Sequence, residues 1–142
     1  MSKQRYKIYK IEEDYNPPST TPEAMQMWFD WVVKTKFWRD RSKVKHVKVV
    51  FPVVGKMSGA TKDGPHLAKI DFGVFSLNQL SACHELAHIL TWDAEADDEG
   101  DHGPRFVGMY LETVKRFYGA EQAKLLQKDF DEKGVKYTGG GI

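Results

Sequence analysis

The chain has 142 residues, 41% hydrophobic and 29% charged, the size and composition of one soluble globular domain. Its net charge of +1 supplies no global field that would argue for nucleic acid or membrane, and a single cysteine, Cys83, excludes an intrachain disulfide. No apolar run approaches a bilayer span, and the N-terminus leads into no signal-peptide core, so a cytoplasmic protein is expected, and a phage origin is not excluded.

Lys3 to Ile11 alternates polar and apolar residues and reads as a first strand. After the Asn16–Ser19 turn, Thr20, Pro22 and Glu23 read as a capping-box start of a helix that carries Met25, Trp28, Trp31, Val32 and Thr35 and ends near Lys36 to Trp38. Trp28, Trp31 and Trp38 are expected in the core. Val44 to Phe51 is rich in β-branched residues and predicts a second strand, and Gly55 to Gly64 reads as a mobile loop. Leu67 to Phe72 predicts a third strand. Ser76 and Gln79 open a helix to about Trp92, with Leu77, Leu80, Cys83, Ala87 and Leu90 as its apolar stripe. Asp93 to Asp101 is an acidic loop. Pro104 starts a helix with Phe106, Val107, Tyr110, Leu111, Val114 and Phe117 on one side and a stop at Gly119. A short last helix carries Leu125, Leu126 and Phe130 and stops at Gly134. The expected order is β-α-β-β-α-α-α: an α+β domain over residues 1–137, a small three-stranded sheet packed against helices, with a frayed tail over 138–142.

His84-Glu85-Leu86-Ala87-His88 is an HExxH sequence inside the predicted metal-bearing helix. Residues i and i+4 share a helix face, so both imidazoles can reach one ion at about 2.0–2.1 Å. Glu85 can then reach a water on that ion, and zinc lowers the pKa of such a water to about 7. An accidental HExxH arises in roughly one chain of this length in a few hundred, so the metal reading is preferred to coincidence. A catalytic zinc usually takes three protein ligands. The metzincin pattern fails, because Thr91 and Ala94 stand where glycine and histidine would be required. His102, fourteen residues after His88 and just before Pro104, is held at a helix start where it could turn back toward the metal. Glu99 and Glu112 are the fallback ligands.

An HExxH, an acidic loop and then His102-Gly103-Pro104-Arg105-Phe106 resembles the SprT-like (Spartan-type) minimal zinc metallopeptidases. It resembles still more a group of small bacterial and phage metallohydrolases, in which a His-Gly-Pro-x-Phe-Val segment leads into a helix ending like Arg116-Phe117-Tyr118-Gly119. The likeness covers residues 67–135; the first 60 or so residues carry no motif, and the cysteine-rich zinc ribbon of many SprT-like proteins is missing. The resemblance implies a zincin-like fold, one Zn2+ per chain held by His84, His88 and His102, and Glu85 as general base. It also implies an extended peptide or protein substrate lying along the strand Leu67–Phe72.

Weaker signals have plainer readings. Among the acidic loop residues one carboxylate could orient a ligand imidazole, while most form a solvated charge run. Lys34, Lys36, Arg39, Arg41, Lys43, Lys45 and Lys48, with Trp38 and His46, could grip a phosphate backbone; a solvated strand face is the preferred reading, so nucleic acid is the less favoured partner. Tyr110, Tyr118, His66 and Arg105 are oxyanion candidates, although the two tyrosines sit in a core pattern. Cys83 reads as a small buried residue. The expectation is therefore a monomeric zinc metallopeptidase. The alternatives are a zinc hydrolase of a non-peptide amide or ester, and an inactive metal-stabilised module that binds DNA or a phage or host protein.

Overall fold

The computed structural model describes residues 3–55, 58–92 and 102–138. The acidic loop with Glu99, and the tail residues 139–142, lie outside the described residues. The fold is α+β, with the sheet small and mixed, and no helix among the described residues is long and apolar enough to cross a membrane. The chain divides into two compact units, residues 17–90 and residues 1–16 with 91–142.

Residues 17–90 hold α2 (Pro22–Val32), α3 (Lys36–Arg39), β1 (His46–Val50), β2 (Ser58–Lys62), β3 (Leu67–Phe72) and α4 (Gln79–Leu90). The cap of α2 is Thr21 rather than Thr20: its side chain accepts from the Ala24 N–H, and Pro22 occupies the first turn. The helix buries Met25, Phe29 and Val32, so Trp31, one step off that stripe, is 53% exposed instead of core. The expected single helix is two, because Thr35 caps α3 and starts the chain afresh. Trp38 is fully buried and its indole N–H donates to the Val44 carbonyl at 2.7 Å.

The sheet order is β1-β3-β2, with β1 parallel and β2 antiparallel to β3. Ala68, Ile70 and Phe72 of β3 are buried and share a face with Val47, and the Phe29 ring stacks on Phe72 at 6.2 Å. The segment 55–64, read as a mobile loop, contains strand β2. Ser-Gly-Ala-Thr-Lys has little strand propensity of its own, and pairing with β3 from Ser58↔Phe72 to Lys62↔Ala68 imposes it. The Asp63 N–H donates to the Leu67 carbonyl at 2.9 Å, which extends that register. Residues 59, 61 and 63 therefore exchange hydrogen bonds with β3, while Ser58, Ala60 and Lys62 turn their N–H and C=O groups outward.

The other unit contains α1 (Lys3–Glu13), α5 (Pro104–Phe117) and α6 (Ala120–Lys133). The expected first strand is thus a helix. Gln4, Ile8 and Ile11 are buried at spacings of four and three, and the Tyr6/Ile8 alternation was the misleading part, since Tyr6 is exposed. The predicted stripe of α5 is buried from Phe106 to Phe117. α6 runs 14 residues, longer than expected; it buries Leu126 and Phe130, exposes Leu125, and ends on Gly134 in the left-handed region. The Thr138 N–H donates to the Pro104 carbonyl, and a Cβ at Gly108 would lie 2.0 Å from the Thr138 oxygen, so this close approach requires glycine.

Candidate metal centre

α4 starts at Asn78, whose side-chain oxygen accepts from the Ser81 N–H at 2.8 Å, so the cap lies two residues beyond the expected Ser76. Ser76 instead closes the preceding turn through Gly73. Every residue from Ala82 to Ile89 is buried, as suits a helix covered on more than one side. Within that run lie three polar side chains, His84, Glu85 and His88. Their desolvation is costly unless they are partnered. The His84 and His88 rings, one turn apart, have centroids 5.0 Å from each other. Burial pushes the neighbouring Cys83 thiol well above its ordinary value, which makes it a packing residue rather than a nucleophile.

The Glu85 carboxylate, 4% exposed, accepts a 2.6 Å hydrogen bond from the Ser58 hydroxyl on β2. The bond is charge-assisted when the carboxylate is ionised, and it ties the middle of α4 to the start of the outer strand. Ser58 was missed in the sequence because the segment reads as a loop. The available signal was Asp63-Gly64, a turn pair that marks a β2–β3 hairpin.

His102 stands two residues before α5 and is 2% exposed. Its carbonyl accepts from the Gln4 side-chain amide at 3.1 Å. The same amide donates to the Lys136 carbonyl and accepts from the Lys136 N–H, so the buried Gln4 is satisfied while it holds the His102 backbone. Tyr9 and Phe106 meet the imidazole edge-on at 5.4 and 4.8 Å. The segment misread as a strand is thus what orients His102.

Among the described residues, His84, His88 and His102 form a buried group whose ligand nitrogens all lie within 4.8 Å of one another. Three imidazoles about 2.0–2.1 Å from one tetrahedral ion would have nitrogens about 3.4 Å apart, a spacing inside that 4.8 Å bound. Three neutral imidazoles suit a borderline metal ion such as zinc, copper or nickel, and three ligands leave a position open. The fallback ligand Glu112 is half-buried on α5 and is outside this group. Of the oxyanion candidates, Tyr110 is fully buried and donates to the half-buried Glu12 carboxylate at 2.6 Å. His66 lies beyond β2, with its Nδ1 2.9 Å from the Lys43 carbonyl. The strand Leu67–Phe72 is central and paired on both sides, so it has no edge for a substrate; the outer strand beside α4 is β2.

No family model, curated protein or solved structure matches the chain.

Proposed function

We propose that the protein is a zinc-dependent metallohydrolase, and specifically a peptidase of the SprT-like kind. The observation that carries the reading is the buried three-histidine group, two of whose members flank a buried carboxylate on α4. His84, His88 and His102 would hold the ion, which supplies a Lewis acid that activates water for attack on a carbonyl. Glu85, adjacent to His84 and three residues before His88, accepts the proton and returns it to the leaving amine. Ser58 restrains the Glu85 carboxylate through one oxygen and leaves the other for that transfer. A peptide rather than a small ester is favoured by β2, whose outward N–H and C=O groups can pair with an extended chain.

The decisive experiment is Glu85→Gln. The near-isosteric amide leaves the imidazoles and the helix in place but accepts no proton. Zinc content and melting temperature should match wild type while turnover falls about 10²–10⁴-fold. Turnover that survives with zinc bound removes Glu85 as the base and with it this mechanism. Metal analysis should give one zinc per chain, and His102→Ala should lose most of it. Retention of full zinc by His102→Ala would assign the third ligand elsewhere. Hydrolysis of esters or small amides without peptides would move the substrate class and keep the chemistry.

A further inference from the structure

Charge is unevenly distributed along this chain. Residues 33–72 contain ten Lys and Arg against three acidic residues, a net of +7 in a chain whose total is +1. Part of this charge converges on a concavity of about 660 Å³ in the unit 17–90. Lys34, Arg39, Lys43 and Lys45 line it together with His66, and among the described residues no carboxylate does. Buried Val33 and Val44 give it an apolar floor. The nearby Asp40 is engaged by Lys36 at 2.5 Å, and that hydrogen bond, with the Lys36, Arg41 and Arg39 charges, holds its carboxyl below the usual range.

The wall is also tied in place. The Trp38 indole anchors Val44, and the Lys45 and His46 N–H groups both donate to the His66 carbonyl. The His66 Nδ1 carries the proton shared with the Lys43 carbonyl, since a carbonyl can only accept. All four cations are exposed around a backbone held by these hydrogen bonds, so one multivalent anion can meet several of them at once.

We propose that this concavity binds a small ligand carrying a polyphosphate chain. The roughly four negative charges of a triphosphate match the four cations lining the hollow, where one carboxylate or one phosphate would leave a surplus. Lysine ammonium groups and the arginine fork donate to phosphate oxygens. The volume falls within the range of small-molecule sites, and Val33 and Val44 offer apolar contact for whatever the phosphates carry. The site is independent of the metal reading and survives its failure.

Calorimetric titration of the full chain with inorganic triphosphate, adenosine triphosphate and a short single-stranded oligonucleotide tests the proposal. Both triphosphates should bind at one saturable site. Lys43→Glu/Lys45→Glu, and independently Lys34→Gln/Arg39→Gln, should weaken binding about tenfold or more. Lys115→Glu/Lys128→Glu, an equal charge change on exposed positions of α5 and α6, should leave it unaltered. Tighter binding of the nucleotide than of inorganic triphosphate assigns a nucleotide ligand; equal affinity assigns the phosphate chain alone. The proposal is overturned by absence of saturable binding at low ionic strength, by an equal loss in the α5/α6 control, or by an oligonucleotide that binds where neither triphosphate does.

Discussion

β1 and β2 flank the same central strand, and their outer edges are finished in different ways. On β1, the Gln26 side chain of α2 donates to the Val47 carbonyl at 2.8 Å and accepts from the Val49 N–H at 2.9 Å. One amide there substitutes for a missing neighbour strand. On β2, no hydrogen bond from the described residues reaches the outward groups of Ser58, Ala60 and Lys62. An uncovered edge is a liability for aggregation, and a protein that keeps one short and polar can use it for recognition. The open edge is also the one whose first residue holds Glu85. The β1 edge is closed by Gln26, whereas the β2 edge is the one that the proposed function would use.

Substitutions can separate the two. The largest effect is expected from Gln26→Leu, which strands the Val47 carbonyl and Val49 N–H and should cost about 2–3 kcal/mol in urea unfolding. Turnover and zinc content should be unchanged; a parallel loss of peptide hydrolysis would mean that the edges do not divide the work. Ala60→Pro should do the reverse. Proline is tolerated where the N–H faces out of an edge strand, and residues 59 and 61 keep their bonds to β3. KM for an extended peptide should rise about tenfold, roughly 1.4 kcal/mol, with little change in melting temperature or in hydrolysis of a small ester. Unchanged peptide kinetics would show that substrate does not use this edge. The smallest effect is expected from Ser58→Ala, where loss of one hydrogen bond worth about 1 kcal/mol should lower kcat about fivefold at constant zinc content. Ser58→Thr keeps the hydroxyl and should restore the rate; a Thr variant as slow as Ala would make Ser58 a packing residue only.

How legible each part was follows from the range of the forces that form it. β3, α4 and α5 match their predicted spans to within a few residues: in β3 and α5 a period of two or of about 3.6 announces the buried face locally, and in α4 the helical spacing of its apolar residues marks the helix although Ala82 to Ile89 are all buried. α1 was misread because its buried stripe includes a polar member, Gln4, whose partners at His102 and Lys136 are about 100 and 130 residues away in the chain. β2 was misread because its residues favour a strand only when β3 lies alongside. Hydrophobicity alone places Trp31 in the core, whereas Phe29 and Val32 already fill that face.

His84, Glu85 and His88 could be read from the sequence, since i, i+4 geometry places the two imidazoles on one face of a helix whatever surrounds it. The helix itself was announced by its apolar stripe, and the candidate His102 by the proline that starts α5. Only the tertiary structure decided that the His102 nitrogen comes within 4.8 Å of the other two and that its backbone hangs from Gln4. It alone decided that Ser58 is the partner of Glu85, that β2 rather than β3 is the outer strand, and that basic residues from 34 to 66 line one hollow. Each of these depends on groups brought together from distant positions, by pairing and packing energies that no local window of sequence contains.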